Sequence, residues 1–189
     1  MGVNNYLKYS RSDGSFWSFG FTGNSWIPAA PSTEIATLIQ GATTWTLTFQ
    51  SGEKRIFDLT TGHLLSIVDR NGNTTQLTYD GSNRLTTITD PVGRQLTLGY
   101  ASSSSFLVTG ITSTVAGITF TYTYDTQNRL TQVTRPDLTT LNYTYNALSQ
   151  ITSVTDMNGK VLESHTYDSG GRGLTAADAN GIQAVTLSY

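Results

Sequence analysis

The feature that most constrains this chain is a period. Aromatic residues at Phe57, Tyr79, Tyr100, Tyr124, Tyr145, Tyr167 and Tyr189 recur at spacings of 22, 21, 24, 21, 22 and 22 residues. A spacing held that closely marks a repeat architecture, in which each unit is one supersecondary element that buries its apolar face against its neighbours. The reference copy is YDGSNRLTTITDPVGRQLTLGY, Tyr79 to Tyr100.

The anatomy of the unit is regular. An aromatic residue and an Asp or Asn open it, as in Tyr79-Asp80, Tyr124-Asp125, Tyr145-Asn146 and Tyr167-Asp168. A polar turn leads to Arg84-Leu85 and Arg129-Leu130, with Arg172 at the matching place in the last copy. A β-branched run follows, then a second turn of the form Asp-x-x-Gly: Asp69 to Gly72, Asp90 to Gly93, Asp156 to Gly159 and Asp178 to Gly181. Asp hydrogen-bonds the backbone two residues on, and Gly supplies the positive φ that such turns need. Two strands and two turns fill a unit of this length and leave no room for helix.

The strand before each anchor alternates cleanly. Leu96, Leu98 and Tyr100, or Phe120, Tyr122 and Tyr124, share one parity, while Thr97, Thr121 and Thr123 hold the other. Successive strand residues point to opposite faces, so stacked strands give a wall with one apolar face and one Thr/Ser face. Each large apolar side chain gains about 1.5–3 kcal/mol on burial, so the wall must curl or pair to cover that face. The Arg-Leu strand is less tidy, because Leu85 and Ile88 have opposite parity; a bulge or burial on both faces resolves this. Two copies look shifted by one residue, at Gly62-His63-Leu64 and at Gly173-Leu174, and the serine run Ser102 to Ser105 predicts a lengthened, mobile hairpin loop.

Residues 1–56 read as an irregular β lead-in or capping region, and 57–189 as about six repeats of roughly 22 residues. In the lead-in, Trp17, Phe19 and Phe21 alternate between an Asp13-Gly14 turn and a Gly23-Asn24 turn, which predicts a hairpin. A Pro-bounded link, IPAAPSTE, follows, and the short tract Ala36 to Ile39 is a candidate helical turn. Strands are expected from Thr43 to Phe49 and from Lys54 to Phe57. The fold class is therefore all-β: tandem hairpins in a curled antiparallel sheet.

Composition narrows the function classes. Charged residues are 13%, net charge is −2, and there is no cysteine, which argues against nucleic acid, anionic membranes, disulfides and Cys-based metal or redox sites. No apolar run reaches the ~18 residues of a membrane span, and no secretory signal is visible. Gly2 does not open a myristoylation motif, since Tyr6 stands where Ser or Thr is needed. A chain that stops in phase with its own repeat, at Tyr189, is expected to be a piece of something longer.

The units YDGSNRLTTITDPVGRQLTLGY and YDTQNRLTQVTRPDLTTLNYTY resemble the YD repeats of Rhs proteins, repeats also found in teneurins and insecticidal toxin complexes. The upstream stretches YSRSDGSFWSF, TWTLTFQSGEKRIFD and IVDRNGNTTQLTYD resemble the segment that leads into the repeats of bacterial Rhs proteins. The resemblance implies a β-sheet that spirals into a hollow shell, commonly around a toxic C-terminal domain, and an extracellular or cell-surface setting. It does not carry toxin activity or self-cleavage to this chain, because no effector segment and no autoproteolytic Asp pair are present; Asp90-Pro91-Val92-Gly93 is a repeat turn.

Candidate chemistry is sparse. His63 occupies the turn position that Arg holds elsewhere and reads as a solvated turn residue. Glu163 and His165 take apolar-parity positions near the chain end, where they are either an acid/base pair or a poorly covered strand. The Asp-x-Asn-Gly stretches at Asp69, Asp156 and Asp178 are half of a Ca²⁺ loop without its bidentate Glu, so they read as turns with at most weak Ca²⁺ binding. No residue is assigned a catalytic or metal role. The expected function is a non-enzymatic wall segment, with a longer Rhs-type polypeptide as its partner. One alternative is self-assembly with copies of itself through open sheet edges. Another is an adhesin presenting Trp17, Trp26, Trp45 and tyrosines to surface glycans.

Overall fold

The computed structural model describes residues 6–23, 25–33, 35–178 and 184–189, and every regular element among them is a β-strand. The chain falls into two compact units. One runs to Asp80 and includes Leu85–Gln95; the other comprises Gly81–Arg84 and the chain from Leu96.

The first unit contains β1 (Tyr6–Ser10), β2 (Phe16–Phe21), β3 (Trp26–Ala30), β4 (Ala36–Gln40), β5 (Thr44–Phe49), β6 (Lys54–Asp58), β7 (Leu64–Val68), β8 (Thr74–Tyr79) and β9 (Leu85–Thr89). Each pairs antiparallel with the next. The buried residues, Trp17, Phe19, Ala36 and Leu47, lie on β2, β4 and β5. Tyr9 of β1 meets Phe49 of β5 and Phe57 of β6 edge-on, with ring centroids 6.1 and 5.9 Å apart. The strands therefore bend until the first reaches the fifth and sixth, as the apolar periodicity requires. Burying Phe19 and Leu47 contributes about 1.5–3 kcal/mol each.

Two local expectations are corrected here. Ala36 to Ile39 is not a helical turn: it lies in β4, paired with β5 from Ala36 opposite Phe49 to Gln40 opposite Trp45. Five residues are too few to hold a helix by themselves, whereas pairing satisfies their backbone at once. Much of the supposed link also belongs to a strand, since Ile27 to Ala30 continue β3. Pro28 sits beside a bulge opposite the Ser18/Phe19 step, a place where its missing N–H is tolerated. Of the Gly23-Asn24 turn, Asn24 lies outside the described residues, and Thr22 N donates to the Ser25 carbonyl at 3.0 Å.

The second unit contains β10 (Gln95–Tyr100) from Leu96 onwards, β11 (Val108–Ser113), β12 (Thr119–Tyr124), β13 (Leu130–Thr134), β14 (Thr140–Tyr145), β15 (Ile151–Asp156), β16 (Val161–Tyr167), β17 (Gly173–Asp178) and β18 (Val185–Thr186). Consecutive strands again pair antiparallel. β12 shows the expected alternation, with Thr119, Thr121 and Thr123 exposed and Phe120, Tyr122 and Tyr124 half-buried. None of the described residues of this unit is fully buried. Of the last Asp-x-x-Gly turn, Asn180 and Gly181 lie outside the described residues.

A bulge recurs at one place in the repeat. Tyr79 faces Leu85 while Thr78 faces Thr87, so Thr86 is the extra residue. The same skip occurs at Phe57/Leu64, Tyr100/Val108, Tyr124/Leu130, Tyr145/Ile151 and Tyr167/Gly173. This settles the parity conflict, because skipping one residue returns Leu85 and Ile88 to the same face. It also corrects the reading of the last copy. Gly173 takes the place of Leu opposite Tyr167, and Leu174 is the bulged residue, so nothing is shifted there. The first copy does carry one extra turn residue, closed by Asp58 N donating to the His63 carbonyl at 2.8 Å.

Candidate functional site

The signature residues converge on contacts between neighbouring repeats. A bulge interrupts the ladder and leaves a carbonyl in need of a partner. The tyrosines supply it. Tyr79 Oη donates to the Leu64 carbonyl at 3.0 Å, Tyr124 Oη to Val108 at 2.7 Å, Tyr145 Oη to Leu130 at 2.7 Å, and Tyr167 Oη to Ile151 at 2.8 Å. Each acceptor is the residue that faces the preceding anchor across its bulge, so each of these four hydroxyls reaches back one repeat. Burial raises the phenol pKa of Tyr124 and Tyr145 and keeps them protonated donors.

The Asp and Arg of the signature reach forward. Asp125 Oδ1 accepts from Gln127 N and Arg129 N at 2.8 and 3.0 Å, and Oδ2 accepts from Arg129 Nε at 2.7 Å. Arg129 then lies 4.9 Å from the centre of the Tyr145 ring and donates to the Asn146 carbonyl at 3.2 Å. Arg84 lies 4.5 Å over Tyr100, and Arg172 binds Asp168 and lies 4.5 Å over Tyr189. The backbone N–H of Arg129, then its guanidinium, hold the Asp125 carboxyl below its ordinary 3.8; Asp168 is lowered by Arg172 in the same way, and Asp69 by the Asn73 side chain and backbone.

Variant copies keep the geometry with other chemistry. His63 stacks on Tyr79 at 4.3 Å and 13°, taking the place of the guanidinium, so it is a half-buried clasp residue and not a solvated one. In the copy opened by Tyr145, Asn146 Oδ1 accepts from Leu148 N and Gln150 N, and Gln150 reaches the Gly171 carbonyl. The serine loop is likewise held: Arg84 donates to the Ser102 and Ser105 carbonyls, both at 2.7 Å, and Ser105 N donates to Ser102 O at 3.2 Å.

The second turns repeat the Asx geometry. Asp69 accepts from Asn71 N and Asn73 N, Asp90 from Val92 N and Arg94 N, and Asp156 from Asn158 N and Lys160 N. Gly72, Gly93 and Gly159 take φ of 88°, 87° and 80°, while Leu138 is forced to 66° in the same slot. These carboxylates are consumed by their own turns, and among the described residues no group of three or more His, Cys, Asp or Glu is placed to hold a metal.

Glu163 and His165 do meet, with Oε2 and Nε2 3.5 Å apart. Their strand neighbours in register are Val154 and Asp178 for Glu163, and Ala176 for His165. The tryptophans differ in burial, with Trp26 and Trp45 half-buried. Trp17 is 6% exposed, and Trp26 packs edge-on against Trp45 at 5.6 Å.

Residues 58–95 and 107–140 match the family described as RHS Repeat. No curated protein matches the sequence. A solved structure of TcdB2-TccC3 superposes with a TM-score of 0.55 over 92% of this chain at 14% identity, and so does TcdB2-TccC3 without its hypervariable C-terminal region. These likenesses show a shared fold. The chain spans about a tenth of the length of those chains.

Proposed function

We propose that this chain, whose segments 58–95 and 107–140 are RHS repeats, is a non-enzymatic wall segment of a longer exported bacterial polypeptide. The observation that carries the reading is the clasp. The signature tyrosines and arginines reach the neighbouring repeat while the aspartates hold their own turns and orient the arginines, which supports a scaffold and leaves little chemistry for a substrate. In such a one-dimensional stack, stability is the sum of repeat and nearest-neighbour terms. We assign residues 1–56 the role of a capping region, on the strength of the aromatic core of β1–β6, and 57–189 that of the repeats. The small share of the matched chains that this segment spans supports a longer polypeptide as its partner.

A second reading, edge-to-edge self-assembly, is favoured by the large apolar side chains left open, such as Ile35 at 63%, Ile39 at 62% and Tyr189 at 69% exposure. Light scattering after size exclusion across a concentration series separates the two. A monomer at every concentration fits the wall segment; mass that grows with concentration replaces it with assembly of copies.

A further inference from the structure

The first unit contains a concavity of about 490 Å³ that the scaffold reading does not use. One rim is four consecutive residues of β1, Leu7 to Ser10; the other is the turn after β6, Leu59 to Gly62. The floor is Phe19, Leu38, Trp45, Leu47 and Phe57, and two of these are essentially sealed from solvent, with Phe19 at 0% and Leu47 at 1% exposure. The backbone of β1 runs along the first rim, and Thr60 brings a hydroxyl to the second, that of Thr61 being donated to Asp58. Ligand sites in proteins have this composition and this size, a mostly apolar hollow with a few polar groups at one side.

The charge at the site selects among ligands. No carboxylate lines the cavity, and its one charged lining residue, Lys8, has its ammonium 4.0 Å over the Phe16 ring. Asp58, which opens the turn of the second rim, is committed to Thr60 N, Thr61 N and Thr61 Oγ1 at 2.9, 2.7 and 2.9 Å. A cation brought into the hollow finds no counterion in its lining, and an anion finds only Lys8, already held over Phe16, so either would lose its hydration against an aromatic floor. An uncharged ring or short alkyl body meets surface of its own kind, and a single hydroxyl or amide on it meets the rims.

We infer that the first unit binds a small uncharged amphipathic molecule, an aromatic or short aliphatic body with one hydrogen-bonding end, between β1 and the β6–β7 turn. Its lining is already held in place, Tyr9 packed on Phe57 and Trp45 backed by Trp26 outside the cavity, so the site is preformed.

The test titrates the whole chain with the neutral fluorophore N-phenyl-1-naphthylamine. The expected result is one saturable site per chain, with magnetisation transfer from the probe to the Trp45 and Phe57 ring protons. Leu38→Trp, which fills the floor, and Thr60→Trp, which closes a rim, should each weaken binding by at least about tenfold while circular dichroism shows the sheet intact. A charged analogue, 1-anilinonaphthalene-8-sulfonate, should bind more weakly than the neutral probe. Absence of saturable binding, transfer to rings outside the cavity, or unchanged affinity in a folded filling variant overturns the inference. Should both variants unfold, the site of magnetisation transfer decides alone.

Discussion

Replacing Tyr145 with Phe isolates the contact on which the repeat depends. The substitution removes one oxygen, keeps the ring under Arg129, and leaves the Leu130 carbonyl at the bulge without its donor at 2.7 Å. A net intramolecular hydrogen bond is worth about 0.5–1.5 kcal/mol, and an acceptor left unsatisfied costs more where water is excluded. Tyr145 is half-buried, so water reaches the carbonyl in part, and the loss should be about 1 kcal/mol. In a chain of this length that lowers the unfolding midpoint by roughly 2–4 °C. Tyr143 supplies the control: it shares the strand and the face, and its hydroxyl has no hydrogen-bond partner among the described residues. Tyr143→Phe should be neutral. Urea titration of the two variants side by side measures the difference. Equal stabilities for Tyr143→Phe and Tyr145→Phe would refute the claim that the hydroxyl ties one repeat to the one before it.

Leu138→Gly should stabilise the chain. A side chain at φ 66° costs about 1–2 kcal/mol, and the extra freedom of unfolded glycine returns about 0.5–1, so thermal melts should show a net gain of roughly 0.5–1 kcal/mol. Arg129→Ala loses the ring contact with Tyr145 and the bonds to Asp125 and Asn146, a cost of about 1–2 kcal/mol by denaturant titration. Arg129→Lys should recover less than half, because an ammonium lacks the planar fork. Acid should weaken the fold through the turn aspartates. Asp69, Asp125 and Asp168 titrate lower folded than their ordinary 3.8, so the unfolded chain binds more protons as pH drops. Their contribution is full above about pH 5 and is lost as pH falls below about 4 through the folded values. Asp125→Asn, which keeps the acceptor as Asn146 does in another copy, should make the melting temperature less dependent on pH in that window.

Much of this was legible in the sequence, and the reasons are physical. The period, the Thr/aromatic alternation and the Asp-x-x-Gly turns report local rules, and local rules survive in any context. Even the bulge announced itself, through the clash of parity between Leu85 and Ile88. What stayed hidden was long-range. Nothing in Tyr145 itself says that its hydroxyl meets Leu130, because that acceptor exists only once the bulge of the preceding repeat has formed. His63 was misread for the same reason: its position matched Arg84, yet the ring it stacks on lies sixteen residues away. The serines looked mobile because their own chemistry is that of a loop, while the order comes from Arg84. Ala36 to Ile39 became a strand through β5, a partner that local composition does not reveal.

Hydrogen exchange resolved by residue, comparing the wild-type chain with Tyr145→Phe, tests the coupling between neighbours most directly. The account predicts faster exchange in β12 to β15, the strands on both sides of the broken bond, with β4 to β6 unchanged. Faster exchange confined to β14, or spread evenly over all the strands, would contradict it.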